Sequence, residues 1–167
     1  MPDLKINYAA SSAVTITLAS LATSSTLLAG RESTAVDNST NKYDDYLLAG
    51  RITTGTSPTG NPGTIEVHVV GMIDDAVWPD VFDGTDSAET ITNDFVKHGC
   101  CRLAAAMLTN TTSNVSYDFG PVSVASLFGG VCPRKFVVFA THSSGVNLDG
   151  TGSNHYLNIT PIYYTAA

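Results

Sequence analysis

The chain has 167 residues, a length that suits one domain with a sizeable core, and a formal net charge of −7. That acidic balance, with Arg134-Lys135 the one adjacent basic pair, excludes a nucleic-acid binder, which needs clustered cations against phosphates. Charged residues make up only 14% against about a quarter in an ordinary soluble chain, so the surface is kept polar by 21 Thr, 16 Ser and 10 Asn instead. No run of 18 apolar residues occurs, so no transmembrane helix and no membrane partner are expected. The start, MPDLKINYAASSAVTITLAS, lacks the basic-then-apolar profile of a secretory leader, and synthesis in a cytoplasm is expected.

In chain order, Met1–Ser12 reads as a weakly ordered arm, leaving 13–167 as a single domain. Val14, Ile16 and Leu18 alternate with polar or small residues as a first strand. Leu27–Arg31 and Leu47–Arg51 both read LLAGR; one copy of five residues is too little for a repeat architecture, and chance plus similar local structure explains it better. Ile65, Val67 and Val69 alternate with Glu66, His68 and Val70, the period of a half-buried strand. Thr54–Gly63 before it holds two prolines and three glycines and can be neither helix nor good strand. The simplest reading of Asp37–Gly71 is an antiparallel hairpin with an oversized polar loop, placed for contact rather than chemistry.

Asp74–Glu89 reads as an irregular acidic loop pinned by the rings of Trp78 and Phe82. Arg102–Leu108 favours helix by composition, yet Cys101, Leu103, Ala105 and Met107 share one face of a strand, and a turn follows at Asn110–Asn114; strand is expected. Val122–Phe128 fits a single helical turn. Phe136–Thr141 is apolar on both faces, as in a central strand. Tyr156–Tyr164 is the last strand, with Pro161 implying an edge or a bulge. Seven to nine short strands with polar connections make an all-β sandwich or barrel.

Motifs for chemistry are missing. Gly55–Thr59 fails the G-x-S-x-G elbow, and no phosphate-binding loop occurs. The acidic residues Asp74, Asp75, Asp80, Asp83 and Asp86 lack the EF-hand spacing for calcium. His68, His98, His142 and His155 are far apart, with no H-x-H. Cys100, Cys101 and Cys132 form neither a disulfide framework nor a zinc pattern, and adjacent cysteines on a strand point apart. No enzyme, cofactor or metal is expected.

The runs DNSTNKYDDYLLAGRITTGTSPTG, FGGVCPRKFVVFATHSSGVNL and HYLNITPIYYT resemble a family of small virion proteins of tailed bacteriophages, similar to head decoration (cement) proteins. The likeness spans roughly Gly30 to Thr165 and departs at Cys100-Cys101. It implies a jelly-roll-like antiparallel β-sandwich with long polar loops, without enzymatic activity, fixed to the exterior of a phage capsid. The implied partners are the major capsid protein and further copies of the chain, with a homotrimer on three-fold positions. Leu4, Ile6, Tyr8, Tyr43, Tyr46, Thr56 and Pro58 are the candidate capsid or subunit contacts. The alternative is a receptor- or glycan-binding β-sandwich at a tail tip, stacking sugars on Tyr43, Tyr46, Trp78, Tyr163 and Tyr164.

Overall fold

A computed structural model describes residues 3–59 and 62–166. Met1 and Pro2 of the expected arm, Gly60 and Asn61 of the expected loop, and Ala167 at the end of the expected domain lie outside the described residues. Strand accounts for 44% and helix for 9%, so the chain is all-β as its alternating segments predict. One sheet contains β1 (Leu4–Tyr8), β11 (Tyr156–Ala166), β5 (Asp45–Thr53) and β9 (Ser116–Ser123) in that order, with β2 (Ser12–Ala13) beside β11. The other runs β7 (Ala88–Thr90), β3 (Ala29–Glu32), β10 (Lys135–His142), β6 (Gly63–Gly71) and β8 (Cys101–Thr109), with β4 (Val36–Asp37) beside β10. The pairing is nested and antiparallel: β1 with β11, β3 and β4 with β10, β5 with β9, β6 with β8. That is the wrapping of a two-sheet jelly roll.

The topology corrects the hairpin expected for Asp37–Gly71. β5 pairs with β9 and β11, whereas β6 pairs with β8 and β10. The two strands therefore face one another across the sandwich, and the connection arches from one sheet to the other. Nor does the arch project as a free loop. Thr54 bridges to Leu148, and Thr59 N–H donates to the Ser144 carbonyl at 3.0 Å.

Between the sheets lies the main core, including Leu48 and Ile52 from β5, Ile65, Val67 and Val69 from β6, Phe136 and Val138 from β10, and Leu157 and Ile159 from β11. A second core covers the far side of the β10 sheet. There Val70, Val137 and Phe139 meet Phe82 from the acidic segment, Ile91 and Cys101. With apolar residues on both faces and cover on both, β10 is the central strand that its sequence predicts. Phe82 is buried and Trp78 half-buried, anchoring the irregular segment as expected.

Local chemistry explains the short helices. Asn93 caps α1 (Asp94–Cys100) by accepting from Val96 N–H at 3.0 Å, and Ser123 caps α2 (Val124–Leu127) by accepting from Ser126 N–H. The second is the single turn expected within Val122–Phe128. After α1 the chain enters β8, as expected, but a bulge interrupts the shared face: Val67 pairs with Ala105 and His68 with Leu103, leaving Ala104 unopposed. Cys101 and Leu103 consequently face the second core's side, Ala105 and Met107 the first.

The two LLAGR copies share one physical requirement. A Cβ on Gly30 would lie 2.3 Å from the Ala140 carbonyl oxygen, and one on Gly50 would lie 2.5 Å from that of Tyr156. Each glycine lets a neighbouring strand come close. Each arginine also meets an aspartate, Arg31 with Asp86 at 2.6 Å and Arg51 with Asp118 at 2.7 Å.

Three terminal expectations change. The first strand expected at Val14, Ile16 and Leu18 does not form: only Ser12–Ala13 pair there, and Val14 and Leu18 enter the main core from an irregular segment. The start is no loose arm over Leu4–Tyr8, because those residues pair with Ile162–Ala166 and extend the sheet. Pro161 lies on an inner strand, opposite Tyr46 of β5. Its carbonyl accepts from Ala9 N–H at 2.9 Å, so its ring nitrogen faces the break between β1 and β2, where no ladder bond is lost.

Candidate functional site

Three of the candidate contacts form one surface. In β1 and β11, Ile6 pairs with Tyr164 and Tyr8 with Ile162, so alternation puts Leu4, Ile6, Tyr8, Ile162 and Tyr164 on one face. Asp45 pairs with Ile162 and shares that face, while its neighbour Tyr46 points into the core. The strip is therefore on the outer face of the sheet. Leu4 is 73% exposed, Ile6 56%, Tyr8 63% and Tyr164 50%, so none of the described residues covers them. Ile6, Tyr8 and Tyr164 border a groove of about 440 Å³, also lined by Asp44, Asp45, Ser123 and Ala125. Its carboxylates are already engaged: Asp45 accepts from Ser123 Oγ and Ala125 N–H at 2.5 and 2.7 Å, and Asp44 accepts from Tyr164 N–H at 3.0 Å. Beside these engaged acids the open surface carries the exposed side chains of Ile6, Tyr8 and Tyr164.

The other candidates are elsewhere. Tyr43 is half-buried, 5.7 Å from the Tyr46 ring and 6.0 Å from that of Tyr163. Tyr46 is only 3% exposed and donates its hydroxyl to Asn38 Oδ1 at 3.0 Å. It offers no contact surface, because its place on the inward parity of β5 makes it core. Pro58 is buried too, within the pinned arch, whereas Thr56 is exposed. The arch leaves β5 at the end opposite Asp45, roughly 25 Å from the strip at strand rise. Of the aromatics proposed for sugar stacking, Tyr43, Tyr46 and Tyr163 cluster, with Tyr46 in the core, whereas Trp78 packs on the second core and Tyr164 is in the strip.

Sequence reading missed two buried polar clusters. Beneath α1, Lys97 Nζ donates to Glu66 Oε2 at 2.6 Å and to the Leu27 carbonyl at 2.8 Å, and His68 Nε2 lies 3.0 Å from the same carboxylate oxygen. The His68 hydrogen bond and the Lys97 ammonium hold the Glu66 carboxyl down at about 2, against the pull of burial. The signal was present, since Glu66 and His68 share a strand face, but the cover comes from α1, some thirty residues on. In the second cluster, fully buried Glu32 accepts from Gly84 N–H at 2.6 Å and from Asp83 N–H at 3.2 Å. Burial pushes its carboxyl up to about 7 despite those bonds.

The aspartates of the acidic segment have structural partners. Asp86 binds Arg31 and Thr17, Asp80 binds Thr92, Asp74 caps the turn at Ala76-Val77, Asp83 binds Thr85, and Asp75 pairs with Arg134. Among the described residues no group of three or more His, Cys, Asp or Glu is placed to hold a metal ion. His142 is buried between Ser144 Oγ and the Leu21 carbonyl, and burial lowers its pKa. Cys100 closes α1 and Cys101 opens β8, so their sulfurs approach to 3.7 Å instead of pointing apart; a disulfide needs about 2.05 Å. Burial raises the Cys101 and Cys132 thiols, Cys132 to about 12.

Fold and site together define an all-β sandwich with an exposed strip of Leu4, Ile6, Tyr8 and Tyr164 at one sheet edge. No protein-family model matches this chain, and no curated protein matches it.

Proposed function

We propose that the protein is a structural component of a phage virion, a decoration or cement protein that binds the outside of the head and stabilises it. The observation that carries this is the open strip of Leu4, Ile6, Tyr8 and Tyr164 on a sandwich whose buried acids and bases are engaged in structural bonds. Such a surface suits contact with protein. The sequence resemblance supplies the partner, the major capsid protein, and self-association follows from the symmetry of a shell. The physical logic is preferential binding to the assembled form. A weak contact that spans a seam and is repeated over many copies stabilises the shell in proportion to its occupancy. A hydroxyl-rich surface costs less to cover than one of Lys and Glu.

The test is made on particles. Heads lacking the protein should assemble and package normally, then release DNA at lower temperature or milder osmotic shock, and added protein should restore them. Heads that keep full stability but fail to adsorb to host cells would instead establish the tail-tip reading.

A further inference from the structure

The jelly roll has four sheet edges, and three are blunted. β7 is only three residues long. β8 is bulged at Ala104, and β9 is bulged at Gly120-Pro121, where Pro121 also lacks an N–H. Short strands, bulges and prolines are the devices that keep an edge from pairing with another chain. β1 has none of them: Leu4–Tyr8 is an unbroken strand without glycine or proline, and Lys5 is its one charge.

The direction of its backbone groups follows from two bonds. Ala9 N–H donates to the Pro161 carbonyl, and Asp44 N–H on the opposite side donates to the Ile162 carbonyl. Backbone groups alternate sides along a strand. Lys5 and Asn7, which pair with Thr165 and Tyr163, therefore point theirs at β11. Leu4, Ile6 and Tyr8 point theirs at the open edge.

We propose that this edge pairs with the same edge of a second copy, antiparallel about a two-fold axis at Ile6. The register is self-complementary at every position. Ile6 meets Ile6 of the second copy and Leu4 meets Tyr8, all with backbone groups turned toward the junction, so six ladder bonds form. The intervening pair is Lys5 with Asn7, so no like charges oppose one another. The chain carries −7, yet Leu4–Tyr8 and Ile162–Ala166 contain no acidic residue. The apolar strips of both copies then become one continuous band on the outer face. An isologous contact of this kind closes as a dimer. It is independent of the virion reading, since it concerns the chain alone in solution.

The full chain is examined by sedimentation over a range of concentrations, with amide hydrogen exchange alongside. The expected result is a reversible dimer, with exchange at Leu4, Ile6 and Tyr8 slowing at least about tenfold as it forms. Ile6→Pro removes an N–H that bonds nothing among the described residues, and should abolish the dimer. Ile6→Lys and Ile6→Asp provide a second route that does not depend on proline. Each alone sets two like charges together and should be monomeric, whereas their equimolar mixture should dimerise. A chain monomeric at all concentrations, a trimer indifferent to Ile6→Pro, or a charge-swapped mixture that stays monomeric would each overturn the proposal.

Discussion

Glu32 is the residue whose environment most opposes its chemistry. It ends β3 fully buried, with Asp83 and Glu89 nearby, and only two backbone N–H groups favour its charge. Its folded pKa of about 7 exceeds the model-peptide value near 4.5, so the folded state holds the proton more tightly than the unfolded chain. The sign follows directly: the contribution of Glu32 to stability is fully present below about 4.5 and is lost as pH rises through about 7. A shift of that size corresponds to roughly 3 kcal/mol across the window. Glu32→Gln should remove this contribution, so that the stability change from pH 5 to pH 8 in urea denaturation is less favourable in wild type than in the variant by up to that amount. Equal slopes would mean that Glu32 is ionised throughout. His142 acts in the opposite sense, because a lowered histidine pKa favours protonation of the unfolded chain as pH falls through 6.5. Neither effect was legible in the sequence. Burial of Glu32 depends on the acidic segment folding back over it, and no local pattern records that.

At the scale of elements, the Glu66–Lys97 pair ties α1 to β6. Lys97 is the buried residue of α1, and its ammonium has two acceptors, Glu66 and the Leu27 carbonyl. Removing one member of a buried pair leaves the other uncompensated, which costs about 3–5 kcal/mol, while replacing both with apolar groups can be near neutral. Glu66→Leu should therefore destabilise strongly, and Glu66→Leu with Lys97→Met much less, as denaturant midpoints would show. Additive losses would mean that the two side chains act separately. Elements were the most legible level of this chain. Strands over Ile65–Val70, Arg102–Leu108, Phe136–Thr141 and Tyr156–Tyr164 follow from alternation or apolar runs. What alternation could not give was pairing. β5 and β6 read as a hairpin because they are neighbours in sequence, and only the global wrapping places them in different sheets. The Ala104 bulge was equally hidden, since one extra residue reverses a face without changing composition.

For the whole molecule, the informative boundary is the one between what the sandwich needs and what it displays. The candidate contacts divide along it: Leu4, Ile6 and Tyr8 are displayed, whereas Tyr46 and Pro58 are built in. Parity along a strand could have separated them, but exposure of the first group depends on β1 adding to an edge instead of entering the core. Deleting Met1–Ser12 tests the division. The described residues of that segment contribute nothing to either core, and their strand partner β11 keeps its pairing with β5. The loss is a short ladder plus partial cover of the β11 edge, about 2 kcal/mol by the net worth of a few hydrogen bonds. In a domain of this size that lowers the melting temperature by roughly 4–8 °C and leaves the far-UV circular dichroism of a β protein. Attachment to heads should nevertheless fall sharply if the proposed function holds, because Leu4, Ile6 and Tyr8 of the strip are lost. A truncated chain that no longer folds would show β1 to be structural, and one that still decorates heads fully would place the contact elsewhere on the sandwich.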